Sequence, residues 1–134
     1  MVNDHVSLQF KSAAERLANE RPDLWDGIAM TVEYLRQFRR HAVAPDVRWG
    51  IAQSIFGSNC GEIRWPDPEV QEKYLDDAWR GLFVAHPDED WYVFTVLGNK
   101  ATDGNRWYDR AVPISDAVVR AAIAKLHLRP LRPE

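Results

Sequence analysis

Three cationic side chains recur in consecutive strand-like runs in the second half of this chain. Arg64 lies in CGEIRW, Arg80 lies in WRGLFVA, and Lys100 follows WYVFTVL and a Gly-Asn pair. Strands of a meander lie side by side, so residues far apart in sequence meet on one face of the sheet. Several cations on one face, with no carboxylate–histidine pair among them, suit a polyanion better than a peptide or a sugar.

Hydrophobic spacing predicts the elements that position these residues. Apolar and polar residues alternate in VSLQF, as in a half-buried strand. The next segment is Ala-rich and favours a helix, and beyond Pro22 apolar residues recur at spacings of three and four. The N-terminal part is therefore predicted as a strand over Val6–Phe10, a helix over Lys11–Asn19, and a longer helix capped by Asp23 and ending at about Arg40.

The second half of the chain contains the runs that carry the cations. Val47–Phe56 fits either a short helix or a strand, and Glu69–Asp77 is a polar insertion predicted as a loop with a helical turn. Ser115 is predicted to cap a last helix, and residues 128–134 are expected to form a loose tail. The predicted strands of an antiparallel meander are Gly61–Trp65, Trp79–Ala85 and Trp91–Leu97.

This element order indicates an α+β domain. We expect a small antiparallel sheet of about four strands, with the helices packed on one face: an N-terminal helical pair and a C-terminal helix. At 134 residues and 46% hydrophobic content, the whole chain is predicted to be one domain with a core that needs neither disulfides nor metals. Cys60 is the only cysteine and the four histidines show no metal-ligand spacing, so no disulfide, metal or other cofactor is expected.

The ends and the charge of the chain limit its class further. The start lacks the pattern of a secretory signal and no apolar run approaches the roughly 20 residues of a membrane span, so the cytoplasm is the expected compartment. The net charge of −3 argues weakly against nucleic-acid binding. However, residues 61–90 hold nine acids and three bases, whereas residues 100–134 hold seven bases and four acids. This uneven distribution of charge fits a protein with one cationic face and an acidic opposite face, and it fits an ordinary mixed surface equally well.

The strand motifs, taken with the element order, resemble the RelE/ParE superfamily of toxins from bacterial type II toxin–antitoxin pairs. The resemblance extends from Val6 to about Ala124. Its motifs are a Glu-x-Arg strand, an aromatic-Arg strand, and an apolar strand that runs into Gly-Asn-Lys. It implies a RelE/ParE-like domain over residues 1–134, a cognate antitoxin as partner, and a toxin–antitoxin hetero-oligomer.

The resemblance also implies a chemistry, the cleavage of mRNA on the ribosome. In such an endoribonuclease the deprotonated 2′-oxygen attacks the adjacent phosphate and the 5′-oxygen leaves, which needs a base, a charge stabiliser and an acid. Carried onto this chain, Arg64 and Arg80 grip the phosphate and Lys100 adds charge. Tyr108 stacks on a base or exchanges a proton, and Glu62 is the candidate general base.

Alternatives remain for these residues and for the activity. Glu62 and Arg64 also fit a solvated ion-pair stripe, Lys100 an ordinary turn lysine, and Tyr108 a packing residue. The chain is acidic, carries the insertion Pro66–Asp77, and places Tyr108 eight residues after Lys100, all of which depart from the family pattern. The alternative function is a non-enzymatic, ParE-like topoisomerase inhibitor or a non-toxic protein-interaction module of the same fold.

Overall fold

A computed structural model describes residues 3–43, 45–66 and 76–134 of the chain. The polar insertion predicted over Glu69–Asp77 lies mostly outside these residues. Two short 3₁₀ turns, Arg39–His41 and Gly57–Asn59, accompany the main elements. The strands and helices are β1 (Asn3–Val6), α1 (Leu8–Glu20), α2 (Pro22–Phe38), β2 (Val47–Trp49), β3 (Cys60–Trp65), β4 (Trp79–Ala85), β5 (Trp91–Asn99) and α3 (Arg106–Lys125).

The described strands form one mixed sheet in the order β1-β5-β4-β3-β2. Strand β1 pairs with β5 in parallel, and the other neighbours are antiparallel. The α+β class is therefore confirmed, whereas the prediction of an antiparallel sheet of about four strands was wrong. The meander was predicted correctly as β3, β4 and β5, and the ambiguous segment Val47–Phe56 supplies the short edge strand β2.

The N-terminal strand was misplaced because a helix cap lies inside the alternating run. The Ser7 hydroxyl accepts a hydrogen bond from the backbone N–H of Phe10, which caps α1 and starts the helix at Leu8. Strand β1 lies upstream of that cap. Helix α2 starts at Pro22, so the prediction that Asp23 caps it was wrong. Asp23 lies in the first turn, where its carboxylate interacts favourably with the positive end of the helix dipole.

The sheet is covered on both faces. Helices α1 and α2 cover one face with a core that includes Phe10, Leu24 and Phe83, and α3 covers the other face with a core that includes Leu82 and Val119. The prediction that the helices share one face was therefore wrong for α3. Alternation explains the two cores, because successive side chains of a strand point to opposite faces.

The last helix begins earlier than the sequence indicates. Ser115 is not its cap, since it lies inside α3, is buried, and its hydroxyl is 2.6 Å from that of Thr95 on β5. The helix includes Pro113, and its first turn buries Trp107 and Tyr108. The tail predicted to be loose contacts the domain, where the N–H of Glu134 donates to the carbonyl of Ile55 at 2.8 Å.

Candidate anion-binding site

Strand register places several charged residues on the sheet face that α3 covers. Arg64 on β3 lies directly opposite Arg80 on β4, and Arg48 on β2 lies directly opposite Glu62 on β3. Residues directly opposite each other share a face of the sheet, as do residues two apart on one strand. All four side chains therefore lie on one face, beside the first turn of α3.

Glu62 is the buried centre of this group. Its side chain is 1% exposed, and both carboxylate oxygens are engaged. The Tyr108 hydroxyl donates to Oε2 at 2.7 Å, and the Nε of Arg48 lies 3.1 Å from Oε1. Because Tyr108 belongs to the first turn of α3, the helix closes the site over the sheet.

Arg80 carries buried positive charge that the described residues satisfy only in part. Its side chain is 3% exposed, and one terminal nitrogen donates to the carbonyl of Trp79 at 2.9 Å. None of the described residues accepts from its Nε, and the buried Nε of Arg64 likewise has no acceptor among them. Burial lowers the pKa of Arg80, the carboxylate of Glu62 opposes that change, and the neighbouring Arg64 adds to it. A buried donor without an acceptor is costly, so this site favours an incoming acceptor.

Lys100 follows the end of β5 and completes the group. Its Nζ lies 3.4 Å from the Oδ1 of Asn105 and 5.2 Å from the centre of the Tyr108 ring. Partial burial lowers the pKa of Lys100, and the positive charge of Arg80 lowers it further. A lowered pKa makes the ammonium group of a lysine a better proton donor.

Tyr108 is a proton donor in this arrangement. Burial is the main cause that raises its pKa to about 12, followed by the charge of Glu62 and the hydrogen bond to it. The hydroxyl therefore keeps its proton at neutral pH. The ring is 4% exposed and packs edge-on against Trp107, which is the packing role that the sequence left open.

The structure thus brings together the five residues named from the sequence and adds one that was missed. The missed residue is Arg48, on the segment for which helix and strand could not be separated. Once β2 is known to be a strand, the pairing of Arg48 opposite Glu62 identifies Arg48 as a site residue. The expectation of a solvated Glu62–Arg64 stripe does not describe Glu62, which is buried and pairs with Arg48. We call Arg48, Arg64, Arg80 and Lys100, together with Glu62, the cationic cluster.

Comparisons with known proteins gave no assignment. No family model, no curated protein and no solved structure matches this chain. Within the described residues, no helix has the length and apolar character needed to cross a bilayer. The same residues contain no group of three or more His, Cys, Asp or Glu side chains placed to hold a metal ion. The resemblance to RelE/ParE toxins rests on the sequence motifs and the predicted element order.

Proposed function

We propose that this protein binds RNA through a backbone phosphate at the cationic cluster and cleaves it, as an mRNA-directed toxin of the RelE/ParE type. The observation that carries the proposal is the buried Arg80, whose Nε lacks an acceptor among the described residues and which lies opposite Arg64. Four cations surround one carboxylate in this cluster. A phosphate offers the acceptors and the negative charge that these guanidinium groups need.

In the proposed reaction each group has one role. Arg64 and Arg80 hold the phosphate and stabilise the charge that develops on its oxygens. Arg48, the half-exposed partner of Glu62, turns to the incoming phosphate and frees Oε1 of Glu62 to accept the proton of the 2′-hydroxyl. The 2′-oxygen attacks phosphorus, the bond to the 5′-oxygen breaks, and Lys100 protonates that oxygen. The products are a 2′,3′-cyclic phosphate and a 5′-hydroxyl.

The partners of this activity follow from the same proposal. The substrate is mRNA on the ribosome, and a cognate antitoxin protein holds the toxin inactive in a hetero-oligomer in the cytoplasm. Inducing the chain alone in a bacterial host is expected to arrest growth and to leave cuts at defined codon positions in mRNA. Mapping the 5′ ends of cellular transcripts measures those cuts.

Arginine substitutions test the chemistry directly. Arg64→Ala and Arg80→Ala are each expected to slow cleavage by a factor on the order of 10²–10³, because each removes a donor that stabilises the transition state. Arg80→Lys is expected to be impaired as well, since it keeps the charge and loses the planar fork. Arg16→Ala is the matched control, because Arg16 is exposed on α1 and pairs only with Glu20 among the described residues. Full activity in folded Arg64→Ala and Arg80→Ala would refute the nuclease assignment.

One observation favours a second candidate function. Both oxygens of Glu62 are already engaged, and Tyr108, with a pKa of about 12, is a poor base, so the resting site holds no free base. This arrangement suits a non-enzymatic member of the fold that inhibits a topoisomerase or acts as an interaction module. Growth arrest with DNA-damage signalling and intact mRNA would support the inhibitor, and the absence of arrest would support the interaction module.

A further inference from the structure

A small polar cleft adjoins the cationic cluster. It encloses about 260 Å³ between the turn that follows β2 and the start of α3. Its walls come from two parts of the chain that are more than fifty residues apart in sequence. The lining residues are Arg48, Gly50, Ala52, Gln53, Asn105 and Tyr108.

The cleft and the cluster share side chains, so one ligand can occupy both. Arg48 and Tyr108 line the cleft and contact Glu62, and the Oδ1 of Asn105 is 3.4 Å from the Nζ of Lys100. A phosphate held at the cluster therefore places the group attached to it at the mouth of the cleft. The backbone of the cleft at Gly50 has a φ of +81°, which favours glycine, and the space beside it is open, since a Cβ there would meet nothing within 4 Å.

The polar lining has the chemistry that reads a purine. An amide side chain pairs with N6 and N7 of adenine, and a guanidinium pairs with O6 and N7 of guanine. The cleft presents two amides, Gln53 and Asn105, and one guanidinium, Arg48. No carboxylate is among the described residues that line it, and a carboxylate is the side chain that accepts from N4 of cytosine. Single-stranded RNA offers its bases for this kind of contact, since they are free to leave the stack.

We propose that this cleft is a purine subsite, in which Gln53 and Asn105 contact the base of the nucleotide whose phosphate lies at the cationic cluster. The inference rests on the proposed function for its phosphate. It adds a specificity that the cluster cannot supply, because phosphate contacts carry no base information. Gln53 and Asn105 are both exposed, so substitution there leaves the core intact.

Calorimetric titration with five ligands tests the subsite: inorganic phosphate and the monophosphates of adenosine, guanosine, cytidine and uridine. At least one purine monophosphate is expected to bind the wild-type protein about 10- to 100-fold more tightly than inorganic phosphate, and both pyrimidine monophosphates are expected to bind about as phosphate does. Gln53→Ala and Asn105→Ala are expected to lose most of this purine preference. Gln37→Ala, an exposed glutamine on α2, is the control and should keep it.

The outcomes separate the subsite from the phosphate site. Wild-type protein that binds inorganic phosphate and shows no preference for either purine overturns the subsite and leaves the cluster as an anion site. Retention of the full purine preference in both Gln53→Ala and Asn105→Ala also overturns it. Wild-type protein that binds none of the five ligands overturns the cationic cluster as an anion site, and the subsite with it. Arg80→Ala is expected to weaken the binding of all five ligands to a similar extent, because it removes a contact to phosphate and not a contact to the base.

Discussion

Removing a single hydroxyl group from Tyr108 tests how the buried carboxylate is held. Tyr108→Phe keeps the ring in its packed position against Trp107 and deletes the donor that lies 2.7 Å from the Oε2 of Glu62. Glu62 is 1% exposed, so water does not replace the lost donor without a structural change. A hydrogen bond to a charged group contributes about 1.5–3 kcal/mol. We therefore expect Tyr108→Phe to lower the free energy of unfolding by about 2–3 kcal/mol near neutral pH.

The raised pKa of Tyr108, which is due first to its burial, makes the stability of the folded protein depend on pH. It is about 12 in the folded protein, against about 10 in an unfolded chain. The folded state thus holds this proton more tightly, which corresponds to about 2–3 kcal/mol of stability. That contribution is fully present below pH 10, where both states keep the proton. It is lost as the pH rises from about 10 to about 12, because the unfolded chain releases the proton first.

Urea unfolding followed by tryptophan fluorescence, at a series of pH values from 8 to 12, measures both effects. The stability difference between wild type and Tyr108→Phe is expected to be about 2–3 kcal/mol at pH 8 and to approach zero near pH 12. Taking the difference removes the titration of all other groups, which the two proteins share. Tyr34→Phe is the control, because the Tyr34 hydroxyl accepts a hydrogen bond from the exposed backbone N–H of Val43 and so serves no buried charge. A difference that stays constant from pH 8 to pH 12 would refute the raised pKa of Tyr108, and a difference near zero at pH 8 would refute its hydrogen bond to Glu62.

Two further substitutions test the packing that supports the site. Asp116→Ala is expected to lower the free energy of unfolding by about 2–4 kcal/mol, because the Ser54 hydroxyl and the N–H of Ile55 both donate to this buried carboxylate. Asp109 is exposed on the same helix, and Asp109→Ala should change the free energy of unfolding by less than about 1 kcal/mol. Equal losses for the two variants in chemical denaturation would contradict the role of Asp116. Gly61→Ala is expected to lower the free energy of unfolding by about 1–3 kcal/mol, since a Cβ there would lie 2.5 Å from the Phe83 ring. A thermal unfolding midpoint equal to that of wild type would show that the strand has room for the methyl group.

The part of the site that the sequence predicted is the part set by local alternation. Glu62 and Arg64 are two residues apart on one strand, and that strand could be recognised from its apolar partners and its turn residues. Arg80 lies in a run with the strand bounds Trp79–Ala85, which the structure reproduces. Strands that follow one another in a meander usually pair with each other, so the meander predicted that Glu62, Arg64 and Arg80 lie on one face of the sheet.

The parts that the sequence did not predict depend on contacts between distant segments. Strand β1 pairs with β5, and the N–H of Ser7 donates to the carbonyl of Phe94, a pairing for which no local pattern exists. Helix α3 starts at Arg106, well before the predicted cap Ser115, and its first turn buries Trp107 and Tyr108. The position of α3 on the opposite face, which brings Tyr108 to Glu62, follows from the core under Leu82 and Val119 and not from any motif.

The cationic cluster contains buried polar atoms with hydrogen-bond partners and buried polar atoms without them. In the resting site both oxygens of Glu62 have partners, Tyr108 and Arg48. The buried Nε atoms of Arg64 and Arg80 have no acceptor among the described residues. Folding alone favours satisfying every buried polar atom, and it gains nothing from two guanidinium groups placed opposite each other. The contacts of the described residues therefore leave these two Nε atoms unexplained, and an anion bound between Arg64 and Arg80 would supply their acceptors.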